Sequence, residues 1–97
     1  VLIDDRGEVV IGDEASISDY VNIYSHAHAV EDIHDIKLHK TEIGARARIT
    51  YHAVVLSCVK VGDDAIVGSM GVASKPVEPG WIVGGIPAKQ IAQKAVK

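Results

Sequence analysis

The chain has 97 residues and a formal net charge of −3 with acidic and basic side chains interleaved, so no basic stripe is present to engage nucleic acid. No apolar run approaches the roughly 18 residues of a membrane helix. Its single cysteine, Cys58, leaves no disulfide within the chain, which fits a cytoplasmic, reducing setting. Hydrophobic residues make up 47% of the chain, yet aromatics are 4% and Phe is absent. The apolar mass is nearly all Val, Ile and Ala, which suits a narrow core of stacked β-branched side chains.

In chain order, Val1-Leu2-Ile3-Asp4-Asp5 has no basic region followed by an apolar stretch, so it does not read as a signal peptide. It also lacks an initiator Met, and the expectation is a fragment or a processed chain. Residues 1–10 are expected to finish an earlier coil, with Gly7 at a turn.

From Ile11 onward the sequence repeats every six residues. Aliphatic residues open successive hexads at Ile11, Ile17 and Ile23, and again at Ile43, Ile49, Val55, Val61 and Val67. Four residues after each opener stands a small or β-branched side chain: Ala15, Val21, Ala27, Ala47, Ala53, Val59, Ala65 and Gly71. A helix would place apolar residues at i, i+3, i+4 and i+7, and a single strand would alternate over a longer run. A beat of six means a short strand, a corner and another short strand. Three hexads, one to a side, make one triangular coil, with the opener pointing inward and stacking on its counterpart a coil away. Glycine after the opener, at Gly12, Gly44, Gly62 and Gly68, is expected to ease the corners.

Coil one spans Ile11–His28, coil two Ile43–Lys60, and coil three Val61–Glu78, with Ala73 as the last opener. Residues 29–42 miss the beat and are rich in charge and His, which predicts a loop protruding from the end of coil one. Pro76, Pro79 and Gly80 break the pattern. After Pro87, residues 88–97 suit a short C-terminal helix capping the last coil.

Three stretches resemble the hexapeptide-repeat acyltransferase family, and within it the galactoside, maltose and polysaccharide O-acetyltransferases. They are Ile23-Tyr24-Ser25-His26-Ala27-His28, then Val61-Gly62-Asp63-Asp64-Ala65-Ile66-Val67-Gly68-Ser69-Met70-Gly71-Val72-Ala73-Ser74-Lys75, and the closing Trp81-Ile82-Val83-Gly84-Gly85-Ile86-Pro87-Ala88-Lys89. The likeness covers nearly the whole chain. It departs at Arg48, where the family often has Trp, and at Thr50, where Gly is common. The period does not set the hand of the coil, and parallel crossovers are normally right-handed. The resemblance implies a single-stranded left-handed parallel β-helix, so residues 1–97 read as one all-β acyltransferase domain.

The resemblance also implies the chemistry. Moving an acetyl group from acetyl-CoA to a hydroxyl needs a base, and imidazole titrates where it can take that proton and give it back. His26 matches the family's catalytic histidine, with His28 two residues on. Gly68 and Ser69 match residues beside the pantetheine of coenzyme A, and Ser74 and Lys75 the pair near its nucleotide end. Lys89 stands where a phosphate-binding cation is common, with Gly85 where backbone approaches the ligand. A homotrimer with a sugar-like acceptor follows from the same likeness. Cys58 follows His26 by one full coil plus the length of the insertion, which predicts that the two share a column.

Two other readings stay open. A non-catalytic trimeric scaffold would use the same fold without the chemistry. A γ-carbonic-anhydrase-like metalloenzyme would need paired histidines on one coil. Ser57 and Ala47 stand five residues either side of His52, and His34 and His39 belong to the irregular stretch, so no metal ligands are assigned.

Overall fold

A computed structural model describes residues 2–4, 7–25 and 40–93. Every regular element among them is a β-strand, and the strands fall into three sheets. One face holds β1 (Leu2–Asp4), β4 (Asn22–Tyr24), β7 (Val54–Val55) and β10 (Val72–Ala73). A second holds β2 (Glu8–Ile11), β5 (Lys40–Ile43) and β8 (Lys60–Val61). The third holds β3 (Ser16–Ile17), β6 (Arg48–Ile49), β9 (Ile66–Val67), β11 (Trp81–Gly84) and β12 (Lys89–Gln93). From β1 to β11 successive strands go to different faces, and each pairs in parallel with the strand one coil away; among these strands only β12, which folds back on β11, is antiparallel. This is the wound ladder that the six-residue beat predicts.

Register measures the coil. Glu42 lies opposite Lys60, Arg48 opposite Ile66 and Val54 opposite Val72, each a step of three hexads. One coil earlier each step is longer by fourteen: Glu8 to Lys40, Ser16 to Arg48, Asn22 to Val54. That excess equals the length of the predicted insertion. At the far end the step falls two short of three hexads, with Val61 opposite Val77 and Ile66 opposite Ile82.

The openers form the core. Ile23, Ile49, Val55, Val61 and Val67 are fully buried, and so are the small residues Ala47, Ala53 and Ala65 in the fifth place of the hexads. Each large side chain contributes on the order of 1.5–3 kcal/mol by leaving water. Burial fades toward the first rung, where Ile3 and Ile11 are 41% and 40% exposed.

The corners correct one expectation. The corner residues in the left-handed region are not the second-place glycines but Glu14, Tyr20, Arg46, His52, Cys58, Asp64 and Met70, with φ of 58–67°, joined by Gly80 at φ 76°. They hold the fourth place of each hexad. The glycines in the second place serve close approach instead. A Cβ on Gly44 would come 2.5 Å from the amide nitrogen of Asp63, and one on Gly62 would come 2.5 Å from the nitrogen of Pro79.

Two further expectations change. Lys40, Thr41 and Glu42 are not loop but the first residues of β5, paired with Glu8, Val9 and Val10; Thr41 is fully buried in the inward place. Residues 29–39 of the predicted loop lie outside the described residues. The predicted C-terminal helix is replaced, over Lys89–Gln93, by strand β12 on β11. A helix of ten residues is marginal on its own, whereas the edge of β11 offers a row of unpaired amides and carbonyls. Gly85, at φ 94°, makes the reversal that brings the chain back along that edge. Residues 94–97 lie outside the described residues.

Candidate functional site

The two-residue shortening of the last coil shapes the site. At a regular corner the next opener comes six residues on; after Ala73 the inward place is taken only four residues later, by Val77. Ser74, Lys75 and Pro76 make the tighter corner and are exposed. Beside it, the β11–β12 hairpin turns back and brings Lys89 and Gln90 to the same side. The result is a cleft of about 470 Å³ lined by Lys75, Pro76, Val77, Trp81, Val83, Ala88, Lys89 and Gln90. Its floor is apolar, with Val77 and Val83 in the core and the half-buried Trp81 packed against them. Among the described residues, its only ionisable lining groups are two lysines. An anion with an apolar portion suits such a surface: the ammonium groups meet the charge, and the floor takes the rest.

The structure therefore brings together Lys75 and Lys89, two residues drawn from separate motifs. Gly85 lies in the hairpin turn leading to Lys89, and its carbonyl accepts the Val72 N–H at 2.9 Å. Gly68 and Ser69 stand at a different corner. The Gly68 N–H bonds the Val83 carbonyl at 2.7 Å, and the Ser69 hydroxyl lies 3.4 Å from that of Thr50. Neither lines the cleft, nor does Ser74, although Ser74 adjoins Lys75. His26 and His28 lie outside the described residues. Trp81 and Gln90 were given no role from the sequence. The signal for Trp81 was its being the one Trp in a chain nearly without aromatic rings.

A second cleft, of about 360 Å³, lies across the Pro76–Val77 segment and is lined by Lys60, Gly62, Asp63, Pro76, Val77, Glu78 and Pro79. Two carboxylates against one lysine make it a poorer seat for an anion. Elsewhere the charged side chains serve the corners. Arg46 grips Asp64 through two hydrogen bonds, 2.9 and 3.1 Å, and the bonded carboxylate holds the guanidinium pKa above its usual value. His52 stacks on Tyr20 at 4.9 Å and meets Tyr51 edge-on at 4.5 Å, so it is a corner residue. Among the described residues no group of three His, Cys, Asp or Glu side chains is placed to hold a metal ion. None of them forms a helix long and apolar enough to cross a membrane.

No family model matches the chain. It is 38% identical to a serine acetyltransferase of Mycobacterium tuberculosis across 96% of its own length. Its backbone superposes on a galactoside acetyltransferase in complex with coenzyme A with a TM-score of 0.77 and 25% identity, over 88% of this chain and 44% of that one. It also superposes on a perosamine N-acetyltransferase from Caulobacter crescentus, in complex with CoA and GDP-perosamine. There the TM-score is 0.70 and the identity 21%, over 88% of this chain and 34% of that one. The relatives and solved structures that the chain resembles are hexapeptide-repeat acyltransferases. Acetyltransferases of the left-handed β-helix type share its fold. The chain spans 41% of the length of the serine acetyltransferase.

Proposed function

We propose that residues 1–97 form the β-helix domain of an acetyl-CoA-dependent O-acetyltransferase acting on a hydroxyl of a sugar-like acceptor. The observation that carries this reading is the meeting of Lys75 and Lys89 on one cleft with an apolar floor and no carboxylate. Acetyl-CoA, when bound, supplies an activated acyl group. Lys75 and Lys89 hold its phosphates, and Val77, Val83 and Trp81 offer apolar surface beside them. Gly68, Ser69, Ser74 and Gly85 are assigned to the rest of the donor site. His26, with His28 beside it, takes the proton from the acceptor hydroxyl as its oxygen attacks, since a neutral hydroxyl is a poor nucleophile. A coenzyme A-bound galactoside acetyltransferase of the same fold supports the donor and the acceptor class.

We further propose a homotrimer of closed threefold symmetry. A ridge of exposed Tyr20, Tyr51, His52 and Met70 along one corner supports it, since the first two rings and the thioether are 63%, 47% and 62% exposed. Light scattering should give three times the chain mass at micromolar concentration; a stable monomer would overturn it.

Titration calorimetry with coenzyme A tests the donor site. Lys75→Ala and Lys89→Ala should each weaken binding by about 1–3 kcal/mol, the range for hydrogen bonds to charged groups. Dephospho-coenzyme A should be less sensitive to whichever lysine meets the 3′-phosphate. Wild-type affinity in both variants would move the site elsewhere, and no binding to the wild type would favour a scaffold.

A further inference from the structure

The corners of the coil share two backbone hydrogen bonds. Within a corner, the N–H of the fifth hexad residue bonds the carbonyl of the second: Ala47 to Gly44 at 3.3 Å, Ala53 to Thr50 at 3.0 Å, Ala65 to Gly62 at 3.2 Å. Between coils, the N–H of the fourth residue bonds the carbonyl of the third residue one coil back: Arg46 to Asp13 at 2.8 Å, His52 to Asp19 at 3.1 Å, Met70 to Tyr51 at 2.9 Å. Both depend on a corner only two residues long.

The hexad opened by Ile23 is split, with fourteen residues between Ser25 and Lys40. Its second residue is Tyr24, and the inward fifth place is filled by Thr41. Here the Thr41 hydroxyl donates to the Tyr24 carbonyl at 2.6 Å. The same oxygen accepts the N–H of Cys58, the fourth residue of the matching hexad one coil on, at 3.1 Å. One side-chain oxygen thus takes both the carbonyl and the amide that backbone groups take at uninterrupted corners.

The column makes the point sharper. Thr41 sits between Val9, its partner in β2, and Val59, which precedes Lys60 as Thr41 precedes Glu42. Val has the shape of Thr without the hydroxyl. Packing asks only for Val, and a fully buried hydroxyl costs stability unless it is bonded. What sets Thr apart here is therefore its two hydrogen bonds. Ser25, the other fully buried polar side chain among the described residues, accepts the Gly7 N–H at 2.9 Å at the opposite foot of the split.

We infer that Thr41 is a positioning residue for acetyl transfer: its hydroxyl closes the interrupted coil and fixes the two ends, Tyr24-Ser25 and Lys40-Thr41, between which the stretch carrying His26 and His28 is spliced. The inference rests on His26 being the base.

The test uses Thr41→Val, which keeps the shape, and Thr41→Ser, which keeps the hydroxyl. Thr41→Val should lower kcat by roughly 10- to 100-fold, the scale of a misplaced catalytic group, with coenzyme A affinity unchanged because the lysine cleft is on the last coil. Thr41→Ser should stay within about threefold of wild type. By hydrogen exchange, the Cys58 amide should lose roughly tenfold in protection in the Val variant, while those of Ala53 and Ala65 at intact corners keep theirs. Wild-type kcat in Thr41→Val overturns the inference, even if the Cys58 amide is exposed. So does a Ser variant with the full loss, a test that stands whether or not the Val variant folds. If His26→Ala is inactive and Thr41→Val is not, only this inference falls; if His26→Ala is fully active, the base assignment falls and takes the inference with it.

Discussion

The stretch from Ile43 to Ala73 and the two corners that flank it are built from the same hexad but obey different rules. In the middle stretch every inward place is aliphatic or small, the register steps by three hexads, and the two recurring corner bonds join backbone to backbone. At the flanks the beat fails. One corner takes in the insertion and borrows a buried hydroxyl to close; the other loses two residues and opens a cleft bearing two lysines. The regular part supplies stability, since each rung buries the next. The irregular parts depart from the stacking rule, and there the sequence places four of its five histidines and the two lysines of the cleft. Departures from local rules are where function is expected to lie.

The largest expected effect falls on the flank, at His26. His26→Ala should cut acetyl transfer by roughly 10²–10⁴-fold, the usual value of a general base, with thiol release as the readout over a panel of sugars. Coenzyme A affinity should hold, because the proposed donor-site lysines, Lys75 and Lys89, are untouched. Cys58→Ala should leave turnover nearly intact. A dead Cys58 variant beside an active His26 variant would reverse the assignment and place the chemistry on the regular stretch.

In the middle stretch the expected damage is to stability alone. Ile49→Ala removes a fully buried opener from the stack and should cost about 2–5 kcal/mol in urea unfolding. Coenzyme A affinity of the folded fraction should be unchanged, since Ile49 does not line the cleft. A variant that folds with wild-type stability would mean that the stack is not what holds the coils.

The sequence made the regular part legible because one rule repeats there. The openers, the small fifth residues and the length of the insertion all follow from counting. Its position did not. Ala27 and Thr41 both suit the inward fifth place after Ile23, and periodicity cannot choose between them; pairing of Lys40–Ile43 with β2 decides for Thr41. That choice gives the fourth place to Lys40, which stands one coil before Cys58 in its column; His26 lies outside the described residues. Lys75 and Lys89 stood out in the sequence as separate candidates for a donor site, but their shared cleft depends on a two-residue shortening and a hairpin invisible to a period of six. The C-terminal strand was missed because Ala, Lys and Gln favour a helix locally, and only the open edge of β11 overrides them.

The smallest expected effect concerns the corners, where the structure moved strain from glycine to ordinary residues. Met70 has φ 61° and an exposed side chain, and an L-residue in that region gives up about 1–2 kcal/mol relative to the right-handed helical region. Glycine escapes that cost but loses more backbone entropy on folding, by roughly 0.5–1 kcal/mol. Replacing Met70 by Ala or by Gly removes the same thioether, so any contact it makes with another copy cancels in the comparison. Met70→Gly should then be more stable than Met70→Ala by about 0.5–1 kcal/mol, the difference of those two terms. At Arg48, exposed in strand β6 and outside the left-handed set, the order should invert, with Arg48→Ala the more stable of its pair by a similar amount. Urea midpoints of the four variants decide it. The same order at both positions would mean that the fourth place of the hexad carries no backbone strain, and that the corners differ from the strands only in what they expose.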